Sequence, residues 1–173
     1  MNKLALEILT DRENRVAMQE ELLENHNKTL ICLRVNYPGV YKDNELSRKI
    51  FFSIEKVIED IFVSFTHLKI LKITSEGPTE IFLVDKDSRE VKEITAKIEE
   101  TYPLGRFADI DVYDSITKES ISRKDLGMEE RKCYLCDNKA HICVRSKSHS
   151  QGNLISYMEK VYDDFKRGGY DRR

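Results

Sequence analysis

At 173 residues, with a formal net charge of -2 and a sequence pI near 6.1, the chain lacks the strongly basic balance expected of a general nucleic-acid binder. Its 40% hydrophobic and 35% charged residues match a globular protein with a well-charged surface, and its length suits a single domain over residues 1–173 with a sizeable core. No apolar run approaches the ~20 residues needed to span a bilayer, so no membrane contact is expected. Leu4, Ala5, Leu6, Ile8 and Leu9 are interrupted by Glu7 and Asp11, and no basic leader precedes them, so no signal peptide is read. Four cysteines without a secretion signal imply a reducing, cytoplasmic setting.

In chain order, residues 2–27 read as an amphipathic helix, with Leu4, Ile8, Val16, Leu22 and Leu23 available for burial. Thr29 to Val35 reads as a strand, ended by the turn signal Pro38-Gly39. Asp43 is a plausible N-cap for a long helix, because Leu46, Ile50, Ile54, Val57, Ile58, Ile61, Phe62 and Phe65 recur at spacings of three and four. Leu68 to Thr74 alternates as a strand does. Gly77-Pro78 supplies a turn, and Glu80 to Val84 returns. Asp87 and Glu90 make a capping-box-like start for a helix buried through Val91, Ile94 and Ile98. A last helix over about residues 153–167 carries Leu154, Met158, Val161, Tyr162 and Phe165, and Tyr170 to Arg173 is expected to fray.

The stretch Gly105-Arg106-Phe107-Ala108-Asp109-Ile110-Asp111-Val112 has the period of a strand. Asp109 and Asp111 would share one face, with Ile110 and Val112 on the other. Adjacent carboxylates repel unless a cation lies between them. Mg²⁺ takes hard oxygen ligands, often one or two carboxylates plus substrate phosphates. The pair is therefore a candidate Mg²⁺ site for phosphoryl or nucleotidyl transfer. The same spacing also suits an edge strand whose polar face carries two solvated acids. Glu119 to Ser122 reads as a short hairpin partner after the loop at Asp114 and Ser115.

The expected order over the core, about residues 29–123, is strand, helix, strand, strand, helix, strand. This predicts an α+β fold, a mixed or antiparallel sheet with a βαββαβ (ferredoxin-like, split βαβ) core plus N- and C-terminal helices. On this reading the first and last strands are central neighbours, both core helices cover one face, and the acids lie mid-sheet.

Residues 123–149 read as an irregular Cys/Arg-rich segment. Residues 29–116 carry 12 basic and 16 acidic residues, whereas residues 117–149 carry 8 and 5. A basic segment thus follows the acids, an arrangement that suits phosphate as well as a solvated loop. Arginine binds phosphate oxygens in bidentate fashion, which makes Arg123, Arg131 and Arg145 phosphate candidates. Cys133-x2-Cys136, followed by Cys143 and His149, has the composition of a Cys3His Zn²⁺ site. Three thiols packed under a loop would have the same spacing. Cys32 lies in a strand and reads as core.

Four blocks then resemble a known family. They are Pro103-Leu104-Gly105-Arg106-x-x-Asp109-Ile110-Asp111-Val112; Ser122-Arg123 with Arg131-x-Cys133-x-Leu135-Cys136 and Ala140-x-x-Cys143-x-Arg145-x-x-x-His149; Pro38-Gly39-x-x-Lys42-Asp43 with Arg48-x-Ile50-Phe51; and Gly77-Pro78. In order and spacing, from about Thr29 to Phe165, they resemble the apo-citrate lyase phosphoribosyl-dephospho-CoA transferases, also called citrate lyase holo-acyl-carrier-protein synthases. Ala108 stands where that family leads one to expect a large aromatic residue, and Tyr102 where it suggests His.

The resemblance implies a nucleotidyltransferase. A serine of the apo-acyl carrier protein (γ subunit) of citrate lyase attacks 2'-(5''-triphosphoribosyl)-3'-dephospho-CoA, diphosphate leaves and a phosphodiester remains. On this basis Asp109 and Asp111 are expected to hold Mg²⁺ and to take part in catalysis. Arg106, Lys42, Arg48, Arg123, Arg131 and Arg145 are expected to meet substrate phosphates. Two other readings stay open: the same transfer to the malonate decarboxylase acyl carrier subunit, and a non-catalytic zinc-stabilised interaction module.

Overall fold

A computed structural model describes residues 3–169. In chain order it comprises α1 (Lys3–Asn25), β1 (Thr29–Val35), α2 (Glu45–Phe62), β2 (Thr66–Thr74), β3 (Gly77–Val84), α3 (Ser88–Thr101), β4 (Ala108–Tyr113), α4 (Ala140–Ser146) and α5 (Gln151–Arg167). Short 3₁₀ turns lie at Gly105–Phe107 and Lys124–Leu126. The expectation for Tyr170 to Arg173 falls outside the described residues.

The fold is α+β, with an antiparallel four-stranded sheet in the order β2-β3-β1-β4. β1 and β4 are neighbours, as expected, but β4 is an edge strand rather than a central one. The reason is geometric. β2 and β3 form a hairpin and β1 takes the free side of β3; the crossover through α3 then carries the chain past β1, so β4 runs parallel to β3 and pairs with the outer side of β1. The mid-sheet position expected for Asp109 and Asp111 is therefore corrected.

The exposed edge of β4 is closed by side chains instead of a fifth strand. Ile110 N–H donates to Glu99 Oε1 at 3.0 Å, Lys92 Nζ to Ile110 O at 2.9 Å, and Arg131 Nη1 to Ala108 O at 2.8 Å. Ile121 N–H donates to Val112 O at 2.8 Å. An unpaired strand edge otherwise invites association with another chain. The hairpin partner expected at Glu119 to Ser122 is reduced to a single bridge, Tyr113 to Ser120.

Both faces of the sheet are covered. α2, α3 and α5 pack on one face, where Ile31, Leu33, Phe82, Ile110 and Val112 meet Ile54, Ile58, Val91, Met158 and Phe165. α1 covers part of the other, with Leu23 against Leu30, Cys32, Ile81 and Leu83. β1 and β3 consequently read as nearly continuous apolar runs, as strands buried on both faces do.

Helix ends follow local chemistry. α2 begins at Asn44, not Asp43. The Asn44 side chain accepts from Ser47 N–H, and the Ser47 hydroxyl accepts from Asn44 N–H. Asp43 instead accepts from Arg48 at 2.6 and 2.7 Å. α3 starts at the expected Asp87 cap, and α5 at Ser150. The hairpin turn falls at Ser75 and Glu76, so Gly77 and Pro78 already belong to β3.

Val16 is exposed, whereas Arg15 and Gln19 are buried with Ile8 and Leu23. The inward side of α1 is thus partly polar, and it leads directly to the acids on β4.

Candidate active site

β4 alternates as its sequence predicts: Ala108, Ile110 and Val112 are buried, and Asp109 and Asp111 face the other way. Their side chains are 37% and 33% exposed, which leaves them open to solvent at one end. Directly across the strand pair, Arg34 lies opposite Asp109 and Cys32 opposite Asp111. Side chains of directly opposed residues meet on one face of a sheet. Arg34 Nη2 donates to Asp109 Oδ2 at 2.6 Å and to Asp111 Oδ2 at 2.8 Å. A fixed guanidinium therefore lies between the two acids.

A third acid holds the rest of that guanidinium. Arg34 Nη1 lies 3.3 Å from Glu76 Oε1, in the β2–β3 turn. Glu76 is buried and accepts two further bonds from Arg15, at 2.8 and 3.0 Å, while Arg15 Nη1 donates to Gln19 Oε1 at 2.9 Å. Arg12 approaches Glu76 at 3.5 Å. The network runs from α1 through the hairpin turn to β4, and its charges are mutually compensated.

Burial, then the charge of Asp109, pushes the Asp111 carboxyl up from its ordinary value, and Arg34 opposes both. Burial alone would lower the Arg34 guanidinium, but Asp109, Asp111 and Glu76 outweigh it and hold it above its usual range. Lys42 is shifted down, first by burial and then by Arg12.

At the end of the sheet where β1 finishes and β4 begins, a cavity of about 870 Å³ opens. Lys42, Arg106, Arg123, Arg131 and Tyr134 line it, together with Glu99. That size accommodates a large small-molecule ligand. Four of the six predicted phosphate-binding residues thus share one cavity. Arg48 is held by Asp43 on the first turn of α2, outside the cavity, and Arg145 is exposed on α4 and does not line it. Asp109 is not a lining residue, but its charge reaches Lys42 and Tyr134, which are.

The cavity arginines are tied down. Arg123 Nη2 donates to Glu99 Oε2 at 2.9 Å and Arg123 Nη1 to Glu100 Oε1 at 2.7 Å, and Arg131 Nη2 pairs with Glu99 Oε1. Glu99 is 2% exposed, so this carboxylate serves two arginines and the β4 edge at once. Arg106 Nη2 donates to the carbonyls of Lys132 and Cys133 at 3.1 and 2.6 Å. Lys42 Nζ donates to Tyr37 O at 2.8 Å.

Tyr134 stacks on Tyr157 and meets Phe107 edge-on, and burial pushes its hydroxyl up to about 12. Ala108, where an aromatic was expected, is fully buried under the sheet, and Tyr102 donates its hydroxyl to Ser53 O at 3.2 Å. Gly105 turns the chain into β4 where no larger residue fits, because a Cβ would lie 2.1 Å from Ile98 O and 3.0 Å from Glu99 Cα.

The predicted zinc ligands also come together. Cys133, Cys136, Cys143 and His149 place their ligand atoms within 4.8 Å of one another, and Cys133, Cys143 and His149 contribute to the cavity wall. Sequence reasoning missed Arg34, Glu76, Lys92 and Glu99. Arg34 carried one readable signal: it shares the alternation of Leu30 and Cys32, and therefore their face.

Fold and site together define a small α+β protein in which paired acids on an edge strand lie near a cavity whose lysines and arginines outnumber its glutamates. Comparison with known proteins gives the family. A profile of the apo-citrate lyase phosphoribosyl-dephospho-CoA transferases matches residues 4–165, so the chain belongs to that family. Over 161 residues it is 30% identical to the apo-citrate lyase phosphoribosyl-dephospho-CoA transferase of Shigella flexneri serotype 5b, covering 91% of this chain and 87% of that protein. Over 163 residues it is 31% identical to the protein of the same name from Escherichia coli O1:K1, with the same coverage.

Proposed function

We propose that this chain transfers phosphoribosyl-dephospho-CoA from 2'-(5''-triphosphoribosyl)-3'-dephospho-CoA to a serine of the apo-acyl carrier protein (γ subunit) of citrate lyase. The observation that carries this reading is the family match over residues 4–165. The site is consistent with it in chemical terms. The serine oxygen attacks the phosphorus next to the ribose, and a P–O bond forms. The P–O bond to the leaving diphosphate breaks, and the serine proton passes to a base or to solvent. Such an in-line displacement needs positioning and charge neutralisation more than covalent chemistry by the protein.

On this reading Lys42, Arg106, Arg123 and Arg131 offer positive charge in the cavity to the triphosphate and to the departing diphosphate. Glu99 orients two of these arginines. Asp109 and Asp111, the carboxylates of β4, are the candidates to accept the serine proton.

The donor set also fits Mg²⁺. Asp109 and Asp111 each give Oδ2 to Arg34, which leaves a second hard oxygen on each partly exposed carboxylate. Mg²⁺ keeps several waters and accepts one or two carboxylates, so these two residues would hold it. Bound there, it would neutralise phosphate charge during the displacement. Arg34 fixes the spacing of the two acids.

The strand order, with α2 and α3 on one face, supports reading the core of this single domain as ferredoxin-like. The excess of basic residues in 117–149, including the exposed Lys124 and Lys132, gives an acidic carrier protein a surface to approach. The reaction belongs in the cytoplasm, the reducing setting in which the clustered thiols persist. Offering the apo-carriers of citrate lyase and of malonate decarboxylase in parallel tests the acceptor. Transfer to the first alone is expected, and equal or preferential transfer to the second would overturn the assignment.

A further inference from the structure

We propose that Cys133, Cys136, Cys143 and His149 form a structural zinc site that builds one wall of the cavity. The ligand atoms lie within 4.8 Å of one another, with Cys136 Sγ 3.4 Å from Cys143 Sγ and 3.3 Å from His149 Nε2. A zinc tetrahedron with Zn–S of about 2.3 Å has S···S edges of about 3.8 Å, so these separations need only small adjustments to close on one ion. Four protein ligands fill the coordination sphere, which marks a structural rather than a catalytic centre.

The backbone around the cluster has the form such a site needs. The N–H groups of Leu135 and Cys136 both donate to Cys133 Sγ, as in a tight Cys-x2-Cys knuckle around a thiolate. Cys133 N–H donates to Asn138 O at 2.7 Å, and Lys132 bridges to Lys139, so the knuckle closes as a small loop. The third ligand is on α4, and Ser148 N–H donates to Cys143 O at 3.1 Å to turn the chain toward His149.

Apart from Tyr134, which packs on the main core, hydrophobic packing does not account for this segment. Between residues 127 and 150, only Cys133 and Cys143 are buried. The apolar residues Ile142 and Val144 of α4 are 47% and 73% exposed, so the helix is anchored by its cysteine and not by its aliphatic side chains. A polar segment of this length without a core of its own is the kind that a metal stabilises. The site also has a consequence for the cavity. Arg106 donates to the carbonyls of Lys132 and Cys133, and Tyr134 follows directly, so the metal would fix the wall on which both residues depend. The inference stands on the cluster alone and does not depend on the transferase reading.

The test uses the full chain purified under reducing conditions, with metal content measured by mass spectrometry and Co²⁺ added to the metal-stripped protein. Stoichiometric zinc, and the thiolate charge-transfer and tetrahedral d–d bands of bound Co²⁺, are expected. Cys136→Ser and His149→Ala should each lower zinc retention at least about tenfold, since loss of a supporting partner outside the ligand set already costs that much. Asp109→Asn and Cys32→Ala should retain it fully. Chelation should open the 127–150 segment to limited proteolysis while the sheet stays resistant. Folded, reduced wild-type chain that holds no zinc and develops no cobalt–thiolate band would overturn the proposal. Should Cys136→Ser fail to fold, His149→Ala decides: full zinc retention by that variant would overturn the four-ligand site.

Discussion

Arg34 and Asp109 face each other directly across the β1–β4 pair, 2.6 Å apart, and the same guanidinium nitrogen reaches Asp111 at 2.8 Å. The cation that two neighbouring carboxylates require is, in the first instance, part of the chain. Glu76 takes the other side of Arg34 and passes the charge on to Arg15 in α1. The N-terminal helix is thereby coupled to the acids.

Arg34→Met should destabilise the protein. It leaves Asp109 and Asp111 to repel each other and strips Glu76 of one partner. A loss on the order of 2 kcal/mol is expected, less than for a fully buried pair because both aspartates are about a third exposed. Urea unfolding measures it, and an unchanged midpoint would show that the network contributes nothing net.

Glu99→Gln should cost more, about 3 kcal/mol, because a carboxylate buried between two arginines is harder to replace. Glutamine can still accept from Ile110 N–H, so the β4 edge is kept while the charge pairing with Arg123 and Arg131 is lost. Thermal unfolding would report the loss. A variant as stable as wild type would mean that Glu100 and solvent replace Glu99 for those arginines.

Glu80 predicts a pH dependence. Burial, then the charge of Glu55, pushes its carboxyl up to about 7, and one of its oxygens is buried without a hydrogen-bond partner. An unfolded glutamate loses its proton near pH ~4.3. Between that pH and about 7 the folded state therefore binds more protons, and stability falls as pH rises through the window. Glu80→Gln should remove about 2–4 kcal/mol of that decline and be the more stable form at pH ~8. Asp111, also raised, contributes with the same sign and stays in the variant. Parallel slopes for wild type and Glu80→Gln between pH ~5 and ~8 would contradict the assignment.

Gly105→Ala should lose at least about 2 kcal/mol, because the methyl group would meet the Ile98 carbonyl and move the entry to β4. Since Arg106 and the two acids follow that entry, transfer should fall with stability. Wild-type stability would indicate that the α3–β4 turn relaxes freely.

Much of this was legible in the sequence. Period-two alternation placed Asp109 and Asp111 on one face of a strand, and period-3.6 spacing found α2 with Ile50, Ile54 and Ile58 buried. The cysteine spacing anticipated a cluster that a tight knuckle, α4 and a short turn bring together. What remained hidden depends on tertiary pairing. Arg34 meets residues 75 and 77 positions later, and Arg15 meets Glu76 from 61 positions away. Hydrophobic periodicity could not see that α1 turns Arg15 and Gln19 inward and leaves Val16 outside. The edge position of β4 was missed because pattern gives the order of strands along the chain, not their order across the sheet. Asn44 displaced Asp43 as a cap because Arg48 claims the Asp43 carboxylate.

The central claim is that Asp109 and Asp111 carry the transfer. The most direct measurement mixes the purified chain, triphosphoribosyl-dephospho-CoA, Mg²⁺ and apo-carrier subunit of citrate lyase, and weighs the carrier by mass spectrometry. A mass gain equal to phosphoribosyl-dephospho-CoA is expected, abolished by EDTA and reduced at least about 100-fold in Asp109→Asn and in Asp111→Asn, with both variants folded. Near-wild-type transfer by both variants, or no gain with carrier and donor known to be competent, would contradict it.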